Sequence, residues 1–356
     1  MRASRIGLTL PALPGLTRTL ILVAGSAGAL SAPVQSASAQ DVQAALEKAN
    51  AYIEVAKNTE RAVESWDRYA SWVNMKIGPT GKERYISYGM YDLSDLDGAL
   101  KEARAAAGKE PSTPKLDAAM TRYIDAYEAL APLMNRASAY YDREDYKDDK
   151  VVEGQALHKQ LVPLATTFLA ERDAMMPELR AFARDVEQQE VAAREKQQGR
   201  TAAWHAGNVL HHANRVIDLF PRQRPQPIDS DTLDEMITNL GPNSSGEAFD
   251  QIISGVVPPK DAVIDVTRYG EALEHYAKAV EAFDGFSGES PEEFDELKPL
   301  PRKLLVLLQD FYGPLKQSGG HEFEGGGHKV VQITEVYFEL FNEGNGIWGS
   351  QLRFLP

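Results

Sequence analysis

From Val42 onward, apolar side chains return every three or four residues: Val42, Leu46, Ala49, Ile53 and Ala56, then Val63, Trp66, Ala70, Val73 and Ile77. Thr59 fills the one missing step. A mean spacing of about 3.5 residues puts these side chains on one stripe of a long helix, and such a stripe must be covered by a partner helix. Gly78-Pro79 should end it, because proline has no backbone donor and disfavours helical geometry in the residue before it.

The pattern repeats along the chain. Leu116, Met120, Tyr123, Tyr127 and Leu130 mark a helix that starts after Pro111-Ser112-Thr113-Pro114. Leu157, Leu161, Leu164, Phe168, Met175, Leu179, Phe182 and Val186 mark another, with Pro163 and Pro177 inside it, so this element should be kinked or split there. Residues 187–200 are polar, Gln-rich and without a stripe; they should project into solvent or end the bundle. Residues 221–231 hold Pro221, Pro225 and Pro227 and form the best candidate for a stiff linker. Helical spacing resumes at Val266, Tyr269, Leu273, Tyr276, Val280 and Phe283, and again at Leu304, Leu308, Phe311 and Leu315. Val330, Ile333, Tyr337 and Leu340 have the same spacing, although their β-branched neighbours also suit a short strand. The expected fold is all-α: a long-helix bundle over residues 40–220, the linker over 221–231, and a C-terminal helical region over 232–356.

Residues 1–39 have a different character. Arg2, Arg5 and Arg18 precede the apolar run Leu20-Ile21-Leu22-Val23-Ala24, and Ala37-Ser38-Ala39 follows, before the first acidic residue at Asp41. A basic segment, a short apolar segment and a small-residue site make a secretory signal peptide, with an organelle transit peptide or an uncleaved interfacial anchor as the alternatives. The expected location is periplasmic. The chain has no cysteine, so after export it must be held by an ordinary apolar core, without disulfides or a lipidated N-terminal cysteine. With 38 basic and 52 acidic residues the formal charge is −14; loss of the leader's three arginines leaves 35 against 52, or −17. That balance argues against nucleic acid as a partner, whose affinity comes from Lys and Arg displacing counterions. No apolar run reaches the roughly 18 residues of a membrane-spanning helix, so an integral membrane protein is not expected.

The most unusual segment is Tyr140-Tyr141-Asp142-Arg143-Glu144-Asp145-Tyr146-Lys147-Asp148-Asp149-Lys150, followed by Gly154, Leu157 and His158. It sits where one helix should end and the next begin. Asp148 or Asp149 can accept hydrogen bonds from the open amides of the new helix, and tyrosines bury their rings while their hydroxyls reach polar partners. One reading is a structural corner. The other has Tyr140, Tyr141, Tyr146, Asp148, Asp149 and His158 lining a small polar site for a cation or a ligand amine.

At this point the chain resembles the YiiG-like family, which carries the DUF3829 domain of unknown function. The resemblance rests on Tyr140-Tyr141, Tyr146-Lys147-Asp148-Asp149, and Gly154 through Leu157-His158. It also takes in Asn50-Ala51-Tyr52-Ile53 and Tyr85-Ile86-Ser87-Tyr88-Gly89-Met90-Tyr91, and covers residues 41 to about 220. Members look like exported helical bacterial proteins, several of them lipoproteins; this chain departs there for want of a cysteine. The resemblance implies a fold and a compartment, and carries no reaction, ligand or catalytic residue.

Other motifs carry less. His205, His211 and His212 lie in one segment, but neighbours on a helix point about 100° apart and no pair has the i, i+4 spacing that brings two imidazoles to one ion. His321 and His328 flank Glu322, Glu324 and three glycines, an exposed loop or a weak divalent-ion site. Gly344-Asn345-Gly346-Ile347-Trp348-Gly349 has the letters of a dinucleotide fingerprint without room for the following helix. Asp92 to Asp97 read as a helix start. No catalytic residue, metal or cofactor is expected. The leading expectation is a non-enzymatic binding or structural role in the cell envelope, through a groove between helices or the Gln-rich helix end. The alternatives are a metal-binding or small-ligand protein or enzyme built on the tyrosine and aspartate corner, and an envelope stress factor that binds a protein partner. The chain is expected to be a monomer or a dimer.

Overall fold

The computed structural model describes residues 35–220, 263–321, 326–350 and 352. The fold is all-α. Helices α1 (Gln35–Asn58), α2 (Glu60–Trp72), α3 (Asp97–Ala107), α4 (Pro114–Asp142), α5 (Tyr146–Asp149), α6 (Val152–Gln198) and α7 (Ala202–Ile217) come first. After the undescribed stretch follow α8 (Val266–Asp284), α9 (Glu293–Leu297), α10 (Pro299–Gln317) and α11 (Gly326–Trp348). Among the described residues the only extended pairing is an isolated bridge between Val263 and His321, and no helix is long and apolar enough to cross a membrane. Most of the expected leader and all of the expected linker at 221–231 lie outside the described residues.

The first stripe is two helices. Thr59, the odd residue in the apolar series, marks the break: its hydroxyl donates to the Val55 carbonyl at 2.7 Å and lies 2.5 Å from the Tyr123 hydroxyl of α4. A side chain that bonds the preceding turn in this way bends a helix while keeping the apolar register on both sides. The second helix stops at Trp72, earlier than Gly78, and Val73 is already extended.

Helix α6 is neither split at Pro163 nor at Pro177. It runs for 47 residues, about 70 Å at 1.5 Å per residue. Both prolines lie on its exposed face, as do Lys159 and Asp173, whose carbonyls lose their helical donors, so water can satisfy those carbonyls. Pro132 within α4 is exposed in the same way. The C-terminal segment is helical, α11, despite its β-branched residues.

Two apolar clusters organise the molecule. The first joins α1 to α4 and α6, with Phe168 stacked on Tyr123 at 5.2 Å, and extends to Val186. The second begins at Val191 and gathers α7 to α11 around Tyr269, Tyr276, Phe283, Phe311 and Leu340. Helix α6 spans both. Its last turns do not simply project into solvent: Glu187 bonds His211 at 3.1 Å and Asn214 at 2.7 Å, and buried Glu190 accepts from Ser350 at 2.8 Å. Helices α7 and α8 start at side-chain caps, Thr201 and Asp265.

Candidate functional site

The corner between α4 and α6 brings most of its expected residues together. Asp149 joins the two helices: one carboxylate oxygen accepts from the Tyr140 hydroxyl at 2.9 Å, the other from the Glu153 amide at 2.8 Å in the first turn of α6. The Tyr141 ring meets Trp72 edge-on at 5.0 Å, Tyr140 at 5.0 Å and Tyr146 at 6.2 Å. The Tyr146 hydroxyl reaches Glu144 at 3.4 Å. His158 Nδ1 lies 3.0 Å from the Tyr69 hydroxyl, and the Met75 backbone accepts from the imidazole as well. Burial holds the His158 pKa below its ordinary value, so the ring is neutral, with one nitrogen accepting from Tyr69 and the other donating to Met75. Asp148 is exposed on α5 and stands outside this cluster.

The corner is filled. A methyl group on Gly154 would sit 3.1 Å from the Tyr140 ring and 3.3 Å from the hydroxyls of Tyr140 and Tyr141. Burial raises the pKa of Tyr69, Tyr140 and Tyr141, so all three hydroxyls remain protonated at neutral pH. With both histidine nitrogens and both Asp149 oxygens engaged inside the fold, the geometry describes a fastening. It is also strained: Glu144, Lys150 and Val151 have φ of 58°, 56° and 60°, and left-handed geometry is costly for residues with a Cβ. Lys150 is exposed, so Lys150→Gly removes that strain at no packing cost and is expected to raise stability by up to about 1 kcal/mol, read from the urea midpoint. A loss of stability would show that the left-handed turn at Lys150 stores no strain.

A concave surface lies elsewhere, against the second half of α6. Pro177, Arg180 and Arg184 of α6, Arg215 of α7, Asp218 and Leu219 just beyond it, and Arg268, Glu271, Ala272 and His275 of α8 line a cleft of about 390 Å³. It shares Arg180, Arg184 and Asp218 with a smaller cavity of about 90 Å³, walled by Leu210, Asn214, Tyr337, Phe341 and Trp348. Arg184 pairs with Asp218 at 2.8 Å, tying α6 to the end of α7. Asn214 accepts from the Tyr337 hydroxyl at 2.7 Å while donating to Glu187, which fixes the wall of the smaller cavity. Trp348 closes the top over Gly207, where a Cβ would lie 2.3 Å from the indole.

The histidines of α7 do not line this cleft, and only His212, through His275 of α8, touches its wall. His205 is buried between Trp204 and Phe286, each ring 4.9 Å away. His211 is held by Glu187, and His212 stacks on His275 at 5.8 Å with the rings nearly parallel. Burial, reinforced by His211, His275 and Arg215, drives the His212 pKa down to about 3. No group of three or more metal-ligating side chains converges among the described residues. The arginines escape a sequence reading because three helices supply them across nearly a hundred residues. Only Arg180 and Arg184, at i and i+4, signal one face in advance.

The family model described as "Protein of unknown function (DUF3829)" matches residues 43–240. The "Uncharacterized protein YiiG" of Escherichia coli (strain K12) is 29% identical over 189 residues, which is 50% of this chain and 52% of that protein. The chain thus spans about half the length of this curated relative. No solved structure matches it. The family match takes in α2 to α7 and the last two thirds of α1, hence the whole corner and two of the three walls of the cleft. Matched by the model over more than half of its length, the chain belongs to the DUF3829 family of proteins of unknown function.

Proposed function

We propose that this is an exported, non-enzymatic binding protein of the cell envelope, which holds a small molecule in the cleft between α6, α7 and α8. The observation that carries the reading is the cleft itself: a concavity of about 390 Å³ where polar groups from three helices converge above the apolar surface of Leu219 and Ala272. Export is supported by the basic, apolar and small-residue order of residues 1–39. A binding role suits a lining in which the guanidinium groups of Arg180, Arg184, Arg215 and Arg268 offer paired hydrogen-bond donors. The corner of Tyr140, Tyr141, Tyr146, Asp149 and His158 is then the fastening that sets the N-terminal end of α6.

Native mass spectrometry of the chain recovered from its exported fraction tests both halves. The expected result is a polypeptide that begins at Gln40 and carries a retained small molecule. An intact leader would remove the export half. A bare polypeptide that also fails to take up any member of a metabolite panel would remove the binding half.

A further inference from the structure

Four guanidinium groups around one cleft are unexpected in a chain with a formal charge of −14. Each repels the others, and two carboxylates, Asp218 and Glu271, stand among them. Asp218 is already committed to Arg184. Among the described residues, Arg215 and Arg268 have no carboxylate partner. They face the cleft from different helices, with the exposed imidazole of His275 beside them. Half-buried His212, stacked on His275, has its pKa lowered mainly by desolvation, and His211, His275 and Arg215 add to the shift in the direction a positive surrounding gives. Guanidinium forks match the oxygens of phosphate and carboxylate two at a time, and arginines gathered without counter-charges are the usual means of holding such anions.

The neighbouring cavity adds shape to this charge. Arg180 and Arg184 belong to both spaces, and beyond them the walls turn apolar and aromatic at Leu210, Phe341 and Trp348. The smaller volume, about 90 Å³, suits one ring or a few methylenes. From this arrangement we propose that the cleft binds an organic anion, with a phosphate or carboxylate head between Arg215 and Arg268 and a short apolar tail directed along Arg180 and Arg184 toward Phe341 and Trp348. The proposal rests on the binding reading above and names the ligand class.

Phenyl phosphate is a probe with both parts, and inorganic phosphate has only the head. Isothermal titration of the full chain at low salt should show phenyl phosphate binding more tightly than inorganic phosphate, with affinity falling as salt is raised. Arg215→Gln/Arg268→Gln should weaken phenyl phosphate at least tenfold. Both side chains are exposed, so the thermal midpoint should hold. Phe341→Ala should weaken phenyl phosphate while leaving inorganic phosphate unchanged. The proposal is overturned if neither probe binds at millimolar concentration, or if the double variant binds phenyl phosphate as the parent does. It is equally overturned if the parent retains an uncharged molecule that phenyl phosphate does not displace. In that last case the cleft remains a binding site and only the anionic ligand class falls, whereas a chain that takes up nothing removes both.

Discussion

Asp117→Ala should destabilise the folded chain by about 3–5 kcal/mol, because it leaves a lysine ammonium buried without its counter-charge. Lys48 lies in α1 and is 2% exposed. Its ammonium donates to the carbonyls of Lys109 and Pro111 at 3.1 and 2.9 Å and meets both oxygens of Asp117, at 2.8 and 3.0 Å. Asp117 also accepts from Tyr52 at 2.5 Å and from the Thr113 hydroxyl and amide at 2.9 and 3.2 Å, so one carboxylate ties α1 to the first turn of α4. Removing it strands the ammonium and also the Tyr52 hydroxyl. Lys48→Met combined with Asp117→Ala should recover much of the loss, since a buried pair replaced together costs far less than one partner removed. Urea unfolding of the two variants measures this, and a double variant no better than Asp117→Ala alone would place the cost elsewhere.

The same residue gives the pH dependence its sign. Burial pushes the Asp117 pKa up, but the hydrogen bonds from Lys48, Tyr52 and Thr113 outweigh burial and hold it below the usual carboxylate range. A depressed folded pKa adds stability that is fully present above the unfolded value of about 3.9 and is lost as pH falls through the lower folded value. The gap between parent and Asp117→Ala should therefore be constant from pH 8 to 5 and narrow below about pH 4. A gap that narrowed on raising the pH instead would contradict the ion-pair account.

Much of this architecture is legible in the spacing of apolar residues, because a helix that buries one face must write that face into its sequence. The stripe from Val42 to Ile77 shows the helices, and Thr59, the residue that interrupts it, is where α1 gives way to α2. Features that depend on which face a residue occupies are harder to read. Pro163 and Pro177 look like breaks in a linear pattern, yet on the exposed side of α6 they interrupt little. Glu187 and Glu190 read as solvent-facing because their partners are distant: His211 and Asn214 are 24 and 27 residues on, and Ser350 is 160. At the corner, an acceptor role for Asp148 or Asp149 followed from residue type, since a short acceptor can reach the open amides of a new helix, and it falls to Asp149. The cleft was illegible for the reason Glu190 was. Its arginines become neighbours only when α8 crosses α7.

Phe168→Ala should cost about as much as Asp117→Ala, about 3–5 kcal/mol, through packing in place of charge. Its ring is fully buried at the centre of the α4 and α6 contact, stacked on Tyr123 at 5.2 Å and 6.0 Å from Tyr127. The cost of such a truncation depends on how far the surroundings collapse into the space. Here collapse is hindered, because the Tyr123 hydroxyl is held by Thr59 at 2.5 Å and cannot follow the missing ring without giving up that bond. The loss should therefore fall toward the upper end of the range, and Phe168→Leu, which keeps most of the volume, should cost clearly less. Where the damage spreads is as informative as its size. The two apolar clusters divide within α6, between Val186 and Val191, and Phe168 belongs to the first alone. Hydrogen exchange on the variant should thus show lost protection in α1, α4 and the first half of α6, while the amides of α8 and α10 keep theirs. Uniform loss across both clusters would mean that α6 couples them into one cooperative unit, and that its length transmits unfolding from the corner to the cleft.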